Sequence, residues 1–132
     1  MTKLTSDYRE GKGSTATSEG HEYQLDILFE LTWDRKPTIK NVSDLDWILE
    51  YTEIDEERVK NADLGVPILI YWSDALQHWV TLDGAHRLTK AKREHKHGIG
   101  CRIVDEDMLA KARIDHHKKH VAVESMPLYA KW

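Results

Sequence analysis

One cysteine, Cys101, is too few for an internal disulfide or a cysteine-built zinc site. Long apolar runs are also missing. The longest, "VPILIYW" at residues 66–72, falls far short of the roughly 20 residues that span a bilayer. The opening stretch "MTKLTSDYREGKGSTATSEGHE" has no apolar centre and no small-residue cleavage pattern, so no secretory signal is read there. No internal repeat is visible, and nothing after residue 20 is of low complexity. These absences point to a cytoplasmic protein with no membrane partner. What is present fits one folded domain: 132 residues, 40% hydrophobic and 32% charged, enough for a single core.

The net charge of −4 is unevenly spread. Residues 1–83 carry 8 Lys/Arg against 17 Asp/Glu, whereas residues 84–120 carry 10 against 5. The same basic stretch holds six of the eight histidines. Two readings stand for it: an attraction for anionic ligands, or two helices with ordinary solvated Lys/Arg faces.

Residues 1–20, rich in Gly, Ser, Thr and charge, read as a flexible N-terminal arm. Residues 21–120 form the expected domain, and residues 121–132 a C-terminal tail. In "YQLDILFELTW", Leu25, Ile27 and Phe29 alternate with Gln24, Asp26 and Leu28, which predicts a strand. "DRKPTIKN" reads as a loop around Pro37. Ser43 is read as the N-cap of a helix that breaks near Thr52, before a second helix ending at Gly65. "VPILIYWS" and "HWVTLD" read as a hairpin joined by "DALQ". A helix over "AHRLTKAKREHK" is expected to close at Gly98, followed by the strand "IGCRIVD" and a last helix "DEDMLAKARIDHHKKH". The expected fold class is α+β, a small mixed sheet with packed helices.

"TLDGAHRLTK", residues 81–90, carries the chemistry of greatest interest. It sits where a strand gives way to a helix, whose first turn has outward N–H groups and a partial positive charge. Phosphates bind such ends readily. Gly84 would let a phosphate approach the backbone, Arg87 would supply a fork of donors, and His86 another donor. Asp83 would cap the helix, hold a bridging metal ion, or accept a proton from a hydroxyl. The plainer reading is an Asp-Gly turn with an Asp N-cap and a solvated Arg, since no glycine-rich loop accompanies the motif.

The stretch "VPILIYWSDALQHWVTLDGAHRLTKAKREHKHGIGCRIVDEDML" resembles the core of the ParB/sulfiredoxin-like superfamily over roughly residues 64–110. Asp83, Gly84, His86 and Arg87 match the Asp-Gly-x-His-Arg form of that family's turn. The resemblance implies that Gly84, Ala85, His86 and Arg87 hold the phosphates of a nucleotide (ATP, ADP or CTP) with magnesium bridging them. Lys40 and Ser43 match in spacing a Lys-x-x-Ser pair that sulfiredoxins place near ATP. Two departures matter. Ala85 stands where sulfiredoxins carry their catalytic cysteine, which removes sulfinic acid repair. It also replaces the Glu of ParB proteins, and too little chain follows the core for their helix-turn-helix region.

The reading that follows is a nucleotide-binding domain that transfers a phosphoryl group to a small-molecule or protein acceptor, or hydrolyses the nucleotide. Asp83 would be the catalytic carboxylate, with Glu30 or Asp34 as a second acid/base. Alternatives are a non-catalytic module binding DNA or a protein, and a ParB-like nuclease. Whether the chain is an enzyme stays open at this point. His116 and His120, and His95 and His97, are spaced too simply to name a metal site. Trp72 and Trp79 are expected to meet across the hairpin or fill the core, and Trp33 and Trp132 to contact a partner.

Overall fold

The computed structural model describes residues 14–114. Its centre is a four-stranded mixed sheet built from β3 (Thr38–Asn41), β4 (Ile68–Ser73), β5 (His78–Asp83) and β6 (Gly98–Val104), in the order β3-β6-β4-β5. β4 and β6 run parallel; the other neighbours are antiparallel. Among the described residues five α-helices flank this sheet and a separate two-stranded hairpin, so the fold is α+β as its sequence implies. The β4–β5 hairpin follows the apolar pattern closely, with Trp72 opposite Trp79 and Ser73 opposite His78.

Side chains on the two faces of the sheet serve two cores. On one face Ile68, Ile70, Ile99 and Cys101 pack with α2 (Val42–Leu45) and α4 (Ala85–Arg93). On the other, Leu69, Tyr71, Val80, Leu82 and Val104 pack with α1 (Leu25–Thr32) and α5 (Glu106–Ala112). Alternation along each strand makes this division unavoidable.

Several boundaries differ from the sequence reading, each for a physical reason. The segment expected to be one strand gives only β2 (His21–Gln24) and then turns into α1. Leu25, Leu28 and Thr32 are buried at i, i+3 and i+7, so the helical period wins over the short alternation. Residues 15–18, read as part of a flexible arm, form β1 (Thr15–Ser18) paired with β2. Glu19 and Gly20 join these strands, both with positive φ, as a tight hairpin turn of the primed type requires. Tyr71 secures that turn: its hydroxyl donates to the Glu19 carboxylate and lies 2.7 Å from Ser18 Oγ. Burial, with the neighbouring Glu19 carboxylate, raises the Tyr71 pKa well above its ordinary value.

β3 lies where a loop was expected. Pro37 precedes it, and backbone pairing with β6 holds it, since Ile39 is exposed. Asn41, not Ser43, is the N-cap of α2, because the Val42 N–H bonds His97 O at 2.8 Å and the helix has begun by then. A 3₁₀ helix, Asp46–Tyr51, continues from α2. The expected break near Thr52 is present, and α3 (Glu56–Asn61) follows, capped by Asp55. α3 stops before Gly65; Lys90 Nζ reaches its last turn and donates to Lys60 O and Ala62 O at 3.1 and 2.8 Å.

α4 also ends without its predicted glycine. His95 takes the left-handed conformation at φ 59°, the Lys96 N–H bonds Ala91 O, and the His95 N–H bonds Lys92 O. That pair of bonds is a Schellman closure with histidine in the place usual for glycine, so Gly98 is free to begin β6. α5 ends at Ala112, where Arg113 bridges to Tyr23. The rest of the expected last helix, the tail at 121–132, residues 1–13, and the sites His116, His120 and Trp132 lie outside the described residues. No described helix is long and apolar enough to cross a membrane.

Candidate functional site

The strand-to-helix junction depends on Gly84. Its φ is +118°, and a Cβ built there would come within 2.3 Å of Ile68 Cγ2 and 2.6 Å of Ile68 Cβ. Only glycine allows the backbone to press against β4 at this point while reversing into α4. The close approach brings Asp83 and Arg87 together. Arg87 Nη2 donates to Asp83 Oδ2 at 2.8 Å, with both side chains mostly buried. Asp83 therefore binds the arginine one helical turn on; no side chain caps α4. Arg87 Nε is buried without a hydrogen-bond acceptor, an arrangement that costs free energy unless a ligand supplies one.

Asp83 and Arg87 line a cleft of about 540 Å³ at the end of the sheet where β4 begins and β5 ends. Its opposite wall is α1, through Asp26, Phe29 and Glu30, with Trp33 directly after the helix. Arg102 of β6 lines it as well. Arg102 Nη1 donates to Thr32 O at 3.1 Å, to Trp33 O at 3.3 Å and to Arg35 O, a cation at the carbonyl end of α1 where the helix dipole favours it.

The remaining predicted residues are divided between this cleft and other places. Ala85 opens α4, and its carbonyl accepts from Thr89 Oγ1 at 2.9 Å. His86, expected on the phosphate, does not line the cleft: its Nε2 accepts the Asp55 N–H at 3.1 Å. The ring thus braces the start of α3, a role decided by the packing of two helices far apart in sequence. Glu30 reaches the cleft and Asp34 does not. Lys40 extends over the Trp79 ring, 4.5 Å from its centroid. Ser43 lies in a second depression with Asn41, Asp46, Lys92, Lys96 and His97, so the Lys40–Ser43 pair is away from the Asp83–Arg87 turn. Trp72 and Trp79 meet edge to face at 5.4 Å, with Trp72 at the surface rather than in the core. Trp33 is 72% exposed at the cleft.

Sequence reasoning missed Asp26 and Arg102 as lining residues, and named Trp33 only as a partner contact. A lone arginine inside the apolar strand "IGCRIVD" is a usable signal for Arg102. The first needs α1 to be recognised as a helix, because only then does Asp26 share a face with Phe29 as well as with Glu30.

Cys101 cannot act at this cleft. It is fully buried, in the layer opposite the one served by its neighbour Arg102. Burial pushes its thiol up to about 11, against a smaller opposing effect from Lys40. The unfolded chain ionises at the ordinary value of 9.0, so it binds fewer protons than the fold between 9 and 11, and stability falls with pH across that window. Native protein at neutral pH is therefore expected to resist a thiol reagent that labels it readily in denaturant. Rapid labelling without denaturant would contradict the burial.

The basic second half also has an internal explanation. Arg93 pairs with Glu56 through two bonds of 2.7 and 3.0 Å, and Lys92 with Asp46 at 3.3 Å. With Lys90 on the carbonyls of α3, α4 uses much of its charge to hold the acidic segment beside it. Among the described residues, no group of three or more His, Cys, Asp or Glu side chains comes together as metal ligands. No family model, curated protein or solved structure matches this chain.

Proposed function

We propose that the Asp83–Arg87 turn binds the phosphates of a nucleotide and that the domain transfers or hydrolyses its terminal phosphoryl group. The observation that carries this reading is the Gly84 turn. Its close contact with Ile68 sets a carboxylate and a guanidinium side by side at a mostly apolar cleft. The resemblance of residues 64–110 to the ParB/sulfiredoxin-like superfamily supports it from the sequence side.

In this reading the backbone at Gly84 and Ala85 and the start of α4 receive phosphate oxygens, with the helix dipole behind them. Arg87 neutralises charge on the transferring group, and its buried Nε gains an acceptor. Asp83, released from Arg87 as the phosphate arrives, accepts the proton of a water or acceptor hydroxyl. That oxygen bonds to the terminal phosphorus while the bond to the leaving phosphate breaks. His86 keeps α3 in place. Asp83 is already bonded to Arg87, and among the described residues no group of three or more possible ligands gathers around it to hold a resident magnesium ion. Magnesium would enter with the nucleotide, held mainly by its phosphates.

The test is a thermal-shift series with ATP, ADP, CTP and GTP, each with and without magnesium. A nucleotide at 100 times its Kd stabilises the fold by about 2.7 kcal/mol, which raises Tm by roughly 10 °C or more in a domain this size. Arg87→Ala is expected to lose that shift, measured against its own unliganded Tm. Asp83→Asn is expected to retain binding and abolish turnover. A wild-type protein that responds to no nucleotide would reduce the turn to a structural junction.

A further inference from the structure

The cleft extends well beyond the Asp83–Arg87 turn. Its far wall is one face of α1, where Asp26 and Glu30 are four residues apart and Phe29 and Trp33 repeat the same interval. Among the described residues neither Asp26 nor Glu30 forms an ion pair or a side-chain hydrogen bond, so at the α1 side of the cleft two carboxylates lie beside apolar side chains, with Asp83, Arg87 and Arg102 elsewhere on the lining. Trp33 and Val66, both exposed, also line this cleft. A ligand that is flat and apolar on its faces and rich in N–H groups at its edge would complement both features.

Among the nucleobases one meets both conditions. Guanine presents its N1–H and 2-amino group side by side, and a carboxylate accepts both in parallel bonds. Adenine and cytosine each set a ring-nitrogen lone pair beside their amino group, and that lone pair repels a carboxylate. Uracil flanks its one N–H with two carbonyl oxygens. We infer that the cleft selects guanine nucleotides, the base stacked on Trp33 with its N1–H and 2-amino edge on Asp26 and Glu30, rather than the adenine or cytosine nucleotides that the family resemblance implies. The inference rests on the phosphate-binding reading above, with Arg87 at the other end of the same ligand.

The experiment is a set of calorimetric titrations of the full chain with GDP, IDP, ADP, CDP, UDP and inorganic pyrophosphate; diphosphates avoid turnover. GDP is expected to bind roughly ten- to a hundredfold tighter than ADP or CDP, the range set by hydrogen bonds to a charged acceptor. IDP, which lacks the 2-amino group, is expected between them. Asp26→Ala with Glu30→Ala should bring GDP to the ADP level without weakening pyrophosphate; alanine is well tolerated in a helix. Trp33→Ala should weaken every nucleotide without affecting pyrophosphate. Equal binding of all bases, or a GDP preference that survives the double substitution, overturns the inference while phosphate binding stands. Failure of every ligand, pyrophosphate included, removes the phosphate reading and this inference with it.

Discussion

Gly84→Ala is expected to destabilise the protein by about 3 kcal/mol or more, lowering Tm by on the order of 15 °C in chemical and thermal unfolding. Two costs combine. The backbone at φ +118° is a conformation an L side chain rarely adopts, and the new methyl would enter the space of Ile68, 2.3 Å from Cγ2. Gly20→Ala separates them. Gly20 also has positive φ, at +83°, but a Cβ added there would meet nothing within 4 Å, so strain acts alone and about 1–2 kcal/mol is expected. Equal losses at both positions would mean that the β4 contact yields easily. In that case the Asp83–Arg87 pair would not depend on it.

Leu28→Ala is the second large effect, at about 2–5 kcal/mol. Leu28 is completely buried beneath α1, in the layer with Leu69, Tyr71 and Met108. Ile27, one residue earlier, is only partly buried and packs at the edge of the same cluster. Ile27→Ala is expected to cost about half as much or less, because the cavity it leaves opens to water. The order of these two values distinguishes helix from strand. A strand with Leu25, Ile27 and Phe29 inward would make Ile27 the costly position and Leu28 the mild one. Urea midpoints of the two variants decide it.

The segment around α1 shows why some of this fold was readable and some was not. "LDILFELT" satisfies a two-residue alternation over Leu25, Ile27 and Phe29 and a helical interval over Leu25, Leu28 and Thr32. Seven or eight residues do not separate the two periods; tertiary burial does. β4, β5 and β6 were legible because their apolar residues are concentrated and a turn marks the hairpin. β3 was not, since its Ile39 is exposed and the strand is held mainly by backbone pairing with β6. The Asp83–Arg87 turn stood out because Asp, Gly, His and Arg fall together where a strand gives way to a helix, although an ordinary Asp-Gly turn accounts for them too. Its relation to the α1 wall was hidden, because Asp26 and Asp83 share a cleft only after the chain has folded. His86 misled for the same reason: Asp55, its partner, is 31 positions away.

The pairing of α4 with the acidic segment has a consequence for how fragments of this chain behave. Asp46 and Glu56, with the carbonyls at the end of α3, occupy Lys92, Arg93 and Lys90 much as a polyanion would. They act as an internal decoy. A piece of the chain beginning after residue 63 would lose the decoy and expose those cations together, and it would adhere to nucleic acid or heparin in a strongly salt-dependent way. Such adhesion would report the missing segment rather than a function of the intact domain.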